Sequence, residues 1–368
     1  MIYHIYWGTA GNAGLYLDEI YQSLNKVGYK QKAFVNYYYP FDYGEKIFFK
    51  RTEMEHCKFK GKMRRAVMGL ELLCGLFKVF CASLKDKPEI INYSYSSWGH
   101  AVIYLFLKLM RRFNKGKMVI TCHDVIPASS GNAGYEKELL IKKKCYAIAD
   151  KLLVHNENSI DDLKRTFGIG RDKVIIHEFP IMDLSRLDKG EKYNGRKYDF
   201  LFIGHLRKEK GIEILFESWP EFHKECPDAT LCVAGNAACY AEYIRERKDI
   251  CDKCNIDLKL GFIKDEDYIG IVKAADCVVL PYTSGTNSGI LSTVMSLGRN
   301  VIASDIGMFA NNPLVQKENL FKSADKKAFV QRLKYFYRKE LDKGNEERIR
   351  NYRKNFDAQV KSAYLSLR

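Results

Sequence analysis

Short runs of β-branched and aromatic residues alternate with helical patterns along the whole chain, and this alternation restricts it to parallel sheets built from βαβ units. In the first half the runs are IYHIYW, QKAFVNYY, EIINYSY, KMVITCHD, KLLVHN and KVIIHEFP; in the second they are YDFLFIG, ATLCVAGN, IDLKLGFI, DCVVLPY and RNVIASD. Two such series, separated by a polar and weakly patterned stretch, predict an α/β protein of two doubly wound domains. The expected division is 1–180, a linker at 181–197, a second domain at 198–342 and a C-terminal helix at 343–368. Tyr352, Phe356, Val360 and Tyr364 give that helix one apolar stripe, which needs cover, and the first domain is expected to supply it. A chain of 368 residues can bury two cores, and 46% hydrophobic with 29% charged residues excludes disordered, collagenous and solenoid classes.

The start of the chain lacks a basic stretch followed by an apolar core, and no window approaches 18 uncharged apolar residues, so a cytoplasmic location is expected. The eleven cysteines are odd in number and mostly lie in apolar runs such as LELLCGLFKVFC, which reads as reduced core thiols. Cys251-x-x-Cys254 has no second pair at zinc-finger spacing and is not taken as a metal site. Net charge is +15, and residues 46–117 concentrate it, with 16 basic against 5 acidic side chains. There Lys58, Lys60, Lys62, Arg64 and Arg65 flank apolar stretches, a combination that fits an anionic membrane surface. The stretch Arg64 to Lys85 reads as a helix apolar on most of its circumference, which either packs on a sheet or enters a bilayer interface. No recognition helix, zinc finger or RNA-binding aromatic motif accompanies the charge, so nucleic acid is not an expected partner.

In open α/β sheets ligands bind beyond the carboxyl ends of the strands, so the residues there carry the functional signal. The first such loop holds Gly8, Gly11, Asn12 and Gly14 ahead of a helix, where glycines let backbone N–H groups approach a ligand. Its spacing is not G-x-G-x-x-G and no acidic ribose ligand follows the second strand, which disfavours a nicotinamide or flavin cofactor. The second loop places His123 beside Asp124 at a strand end, a pairing suited to acid–base work. The third, Gly204 to Gly211, sets Arg207 and Lys210 before a helix, where fixed charge and helix dipole act on the same anion. The fourth, Pro281 to Leu291, offers small residues and free backbone amides at Ser288 and Gly289. Two phosphate-type loops in one domain imply a diphosphate ligand. The carboxylates of Asp265, Glu266 and Asp267 read as the first turn of a helix, and no metal is expected.

Over residues 198–310 the chain resembles the GT-B glycosyltransferases, close to the family 4 group of nucleotide-sugar transferases. FIGHLRKEKGIEIL is similar to that family's strand, basic loop and helix, and DCVVLPYTSGTNSGILSTVMSLGRNVIASDIG resembles its donor-binding signature. The first half is similar more loosely, through the glycine-rich loop, TCHDVIP and KLLVHNENSIDDLKRTFGI followed by KVIIHEFP. The resemblance implies two Rossmann-like domains facing across a cleft, a nucleotide-sugar held mainly by the second and an acceptor by the first. Lys210 matches the family's donor-phosphate lysine and Arg207 its arginine, His123 a histidine near the transferred sugar, and Ser288 and Gly289 the amides that hold the distal phosphate. Nucleotide and ribose contacts are assigned to Gly204, Gly235, Asn236, Phe262, Ile263, Ser292 and Thr293. The family's Glu-x7-Glu pair would fall on Gly285 and Thr293, so Thr293, with Ser292, is expected to replace the ribose-binding glutamate by a neutral hydrogen bond.

These features imply transfer of a hexose from a UDP- or GDP-sugar to a glycan or polyprenyl-diphosphate-linked acceptor, with no cofactor beyond the donor. A retaining course is expected over an inverting one, with Asp124, Asp18 or Glu19 as the base if configuration inverts. The expected setting is polysaccharide assembly at the inner membrane face. The rival readings are a nucleotide-sugar epimerase of the same architecture and a non-catalytic nucleotide-sugar or lipid-binding protein.

Overall fold

The computed structural model describes residues 1–8, 12–53, 56–95, 100–126, 134–184, 187, 193, 195–285, 287–342 and 344–367, without the side chains of 12, 13, 100, 101, 265 and 266. The chain divides into two compact units, Met1–Phe179 with Asn355–Arg368, and Pro180–Lys354. The segment 181–197 groups with the second unit, where Ile181 and Met182 are buried.

In the first unit the strands are β1 (Ile2–Ile5), β2 (Gln31–Asn36), β3 (Gly44–Phe48), β4 (Ile90–Ser94), β5 (Lys117–Thr121), β6 (Lys151–Val154) and β7 (Val174–Ile176). They form one parallel sheet in the order β3-β2-β1-β4-β5-β6-β7. Strand β3, GEKIF, escapes the sequence pattern because an edge strand needs only one apolar side and carries charge on the other. The helices are α1 (Asn12–Lys26), α2 (Gly61–Asp86), α3 (His100–Phe113), α4 (Tyr135–Ile148) and α5 (Glu157–Asp162). Helices α2, α3 and α4 share one core with alternate sheet residues such as Tyr3, Ile91, Met118 and Leu152.

The second unit repeats the plan with β8 (Tyr198–Ile203), β9 (Leu231–Gly235), β10 (Ile256–Leu260), β11 (Ala275–Leu280), β12 (Asn300–Ser304) and β13 (Leu320–Phe321), parallel in the order β10-β9-β8-β11-β12-β13. Its helices are α6 (Ile212–Glu225), α7 (Ala241–Glu246), α8 (Lys248–Lys253), α9 (Asp265–Lys273), α10 (Gly289–Ser296), α11 (Gly307–Ala310) and α12 (Lys326–Phe336). Side chains alternate along the strands: Phe200, Phe202, Val233 and Val279 enter one core, and Leu201, Ile203, Cys232 and Val278 the other. Helix α13 (Asn345–Leu365) ends the chain. From Asn355 it groups with the first unit, where Tyr364 accepts a hydrogen bond from Asn92, Ser23 and Lys26 bond Asp357, and Gln359 accepts from the Glu178 amide.

All eleven cysteines are free thiols. The expectation of core positions fails for Cys74 and Cys81 on α2 and for Cys239, which are exposed. Cys251 is buried, and among the described residues no group of His, Cys, Asp and Glu could hold a metal ion.

Candidate functional site

Three neighbouring strands of the first unit each end in a histidine: His123 after β5, His155 after β6 and His177 after β7. The parallel register, Thr121 beside Leu153 and Val154 beside Ile176, brings the imidazoles into a row. His177 Nδ1 stands 2.8 Å from the Glu178 carbonyl, which can only accept, so the proton is on Nδ1 and Nε2 accepts from the Tyr16 hydroxyl at 3.4 Å. By the same reasoning His155 donates from Nδ1 to the His177 carbonyl at 3.4 Å, and its Nε2 accepts from His123 Nδ1 at 3.3 Å. His123 is thereby held with its lone pair on Nε2. Burial pushes His123 and His177 down to about 4, and burial followed by the neighbouring imidazoles holds His155 well below its ordinary value, so the row is neutral at pH 7.

Below this row the loop after β5 is braced by Lys142 of α4, a buried lysine whose ammonium donates to the Asp124 carbonyl at 2.7 Å and the Val125 carbonyl at 3.3 Å. The Asp124 side chain is exposed. Tyr16 packs against His123 in a T-shaped contact, the two ring centres 4.4 Å apart. Gly14 departs from its expected part: it lies inside α1, where its carbonyl accepts from Tyr39 and an added Cβ would meet the Tyr39 ring at 3.4 Å, so it serves packing. Gly8 follows β1 and is partly exposed, whereas Gly11 and the Asn12 side chain lie outside the described residues. Asp18 is fully buried and accepts from Tyr43 and Gln22, which removes it as a base.

In the second unit the chain order reverses between β8 and β11, the place where an open sheet parts its loops to leave a crevice. The two phosphate-type loops follow these two strands and knit together. Thr283 N–H donates to the Glu209 carbonyl at 3.0 Å, and the Lys210 ammonium lies 3.9 Å from the centre of the Tyr282 ring. Gly211, at φ +70°, is pressed on β11 so closely that a Cβ would fall 1.7 Å from the Pro281 carbonyl oxygen. Arg207 is exposed, with Glu209 3.7 Å away. The His205 imidazole is lowered by desolvation and then by Arg207 and Lys210, as a positive loop requires. Ser288 caps α10, its Oγ accepting from Leu291 N–H at 3.1 Å, and helix geometry leaves the Gly289 and Ile290 amides without intrahelical acceptors.

The assigned nucleotide residues divide. Gly204 follows β8 and Gly235 ends β9, both at positive φ, and a Cβ on Gly235 would lie 1.9 Å from the Gly204 carbonyl oxygen, so the two strand ends pack too closely for a side chain there. The Asn236 carbonyl accepts from Leu206 N–H, Phe262 is exposed beyond β10, and Ile263 packs partly on the core. Ser292 and Thr293, expected at the ribose, are buried and turn their hydroxyls to protein groups. Ser292 Oγ is buried, donating to the Pro180 carbonyl at 2.5 Å and accepting from Met182 N–H at 2.8 Å. Thr293 is fully buried, its Oγ1 2.7 Å from the Tyr268 hydroxyl and within reach of the Gly289 and Ile290 carbonyls. Both hydroxyls are engaged by groups of the protein itself. The carboxylates at 265–267 open α9, as expected.

Two all-parallel, doubly wound units carrying these loops define the GT-B fold. Residues 197–339, which lie in the second unit, match the model of the glycosyl transferases group 1. An uncharacterized glycosyltransferase of Methanocaldococcus jannaschii is 30% identical over 110 residues, which is 29% of this chain and spans only 27% of that relative. Among solved structures, sucrose-phosphate synthase of Thermosynechococcus elongatus matches 100% of this chain and 99% of its own, at 17% identity and a TM-score of 0.64. HepE of Anabaena, in complex with UDP-glucose, matches over 99% and 96% at 14% identity and a TM-score of 0.57.

Proposed function

We propose that the protein is a glycosyltransferase that moves a hexosyl group from a nucleoside-diphosphate sugar to a glycan or a polyprenyl-diphosphate-linked saccharide. The observation that carries this reading is the joined pair of loops at the β8/β11 reversal, one bearing Arg207 and Lys210 and the other leading to the α10 amides. The UDP-glucose in HepE favours a uridine donor over a guanosine one. The bond from sugar C1 to the diphosphate oxygen breaks, and the charge developing on that oxygen is met by the two cations and the helix amides, so no metal or other cofactor is needed. In the retaining course the acceptor oxygen bonds to C1 on the face the diphosphate leaves, and its proton passes to the departing phosphate. Neutral His123 accepts a hydrogen bond at Nε2 from a hydroxyl of the sugar, and exposed Asp124 is the base an inverting course would use. The setting we propose is bacterial surface polysaccharide biosynthesis, with the protein cytoplasmic and peripheral on an anionic membrane that bears the acceptor.

A thermal-shift comparison of UDP, GDP and ADP tests the donor site, since a ligand of the native state at about 100 times its Kd adds roughly 2.7 kcal/mol. Lys210→Ala and Arg207→Ala should each lower turnover on the order of a hundredfold, by analogy with loss of an oxyanion donor. Near-normal turnover in both purified variants discards the phosphate assignment. Acceptor-dependent release of nucleoside diphosphate with sugar transfer separates the transferase from an epimerase or a non-catalytic binder.

A further inference from the structure

Helix α2 has two apolar faces. On one, Leu72, Leu76 and Val79 enter the first unit's core, and Gly75 lies so close to Phe48 that a Cβ would come within 2.4 Å of its ring. On the other, Met63, Leu70, Phe77 and Leu84 recur every seven residues and are open to solvent, Leu70 at 62% and Phe77 at 66%. At about 100° per residue these four make a stripe turned away from the buried face, with Lys62 and Lys78 exposed on its flanks. Helix α3 extends it. Phe113 meets Phe80 of α2 at 5.6 Å, and Leu105, Leu109 and Phe113 are exposed beside Lys108 and Arg112. A groove of about 550 Å³ runs along α3, floored by Leu105, Leu109 and Ile148 and rimmed by Lys108, Arg111 and Arg112.

We propose that the α2–α3 face docks the protein on an anionic lipid surface, its leucines and phenylalanines in the interfacial zone and its lysines and arginines at the phosphates. The inference rests on the reading of a membrane-borne acceptor and names the surface that reading requires. Charge selects the occupant. Both acidic residues of α2 are engaged inside the unit, Glu71 by the Arg51 amide and Thr52, Asp86 by Tyr3 and Lys32, and α3 contains no acidic residue. Arg111 on the rim is ion-paired with Asp150 at 2.6 Å, and the exposed apolar side chains of α2 and α3 are otherwise flanked by Lys62, Lys78, Lys108 and Arg112. A second copy laid on it would set cation against cation, whereas phosphate headgroups meet them with the opposite sign. Helix α2 is long and apolar enough to cross a bilayer, but its buried stripe belongs to the sheet's core, so it lies along the surface and does not span.

Flotation with vesicles of phosphatidylcholine, and of phosphatidylcholine mixed with phosphatidylglycerol, tests the face on the full chain. Recovery is expected only with the anionic vesicles, weakening as salt rises. Phe77→Asp and Arg112→Glu should each lower it on the order of tenfold. Both variants should keep the wild-type thermal shift with UDP, which separates lost docking from lost folding. A Phe77→Trp variant should shift its fluorescence to the blue on the anionic vesicles, reporting entry of the side chain into the interface. Equal recovery on both vesicles, no recovery, wild-type recovery of Phe77→Asp, or a dimer in sedimentation that Phe77→Asp dissociates would overturn the proposal. If UDP fails to bind the wild-type protein, the donor reading falls while flotation still decides this surface.

Discussion

At the residue scale, the proton placement on His123 depends on groups it does not share an element with. The carbonyls of His177 and Glu178 set the protons on the row of imidazoles, and His155 passes that choice to His123. His155→Leu removes the acceptor for His123 Nδ1–H and should lower turnover about tenfold, with the UDP thermal shift unchanged. His155→Gln, which can accept at one end and donate at the other, should restore most of it. Equal loss in both variants would reduce His155 to a packing residue. Ser292 gives the opposite case. Ser292→Ala leaves the buried Pro180 carbonyl and Met182 amide without their partner and should cost about 1–3 kcal/mol in urea unfolding. Because its hydroxyl faces the main chain, KM for the donor should stay within about twofold; a tenfold rise with normal stability would return Ser292 to the ribose.

At the element scale, the donor-side loops owe their shape to contacts between the ends of β8 and β11. Gly211 is the tightest of these, at φ +70° and against the Pro281 carbonyl. Gly211→Ala forces either the loop or β11 to move, and should destabilise the protein by roughly 2 kcal/mol or more while weakening the UDP thermal shift. A stable variant with full UDP response would show that the loops tolerate separation. The strand pattern, α9 and the capping serine of α10 are legible in the chain because each follows from local periodicity or turn chemistry. Strand β3 and the two-residue β13 are not, since short edge strands carry too few residues for a period to emerge. Histidines 155 and 177 did stand at the ends of recognisable strands; what the chain did not display was that those strands are neighbours of β5.

At the scale of the whole molecule, stability should depend on pH through the buried imidazoles. His4 and His177 are each pushed from 6.5 down to about 4 by burial. Between those values the unfolded chain binds more protons than the folded one. Stability is therefore full above about 6.5 and declines as pH falls towards 4, by up to about 1.4 kcal/mol per pH unit for each histidine. Urea midpoints followed through this window check it, and a level midpoint would mean that the imidazoles are charged in the folded state. The chain alone determined the two series of βαβ units, the positive loop at Arg207 and Lys210 and the amide-rich start of α10, because periodicity, charge and small residues act over a few neighbours. Tertiary structure alone decided that Ser292 and Thr293 turn inward, that three histidines join in one row, and that α2 leaves a second apolar face uncovered. Those outcomes depend on which strands and helices become neighbours, and neighbours distant in sequence leave no local trace.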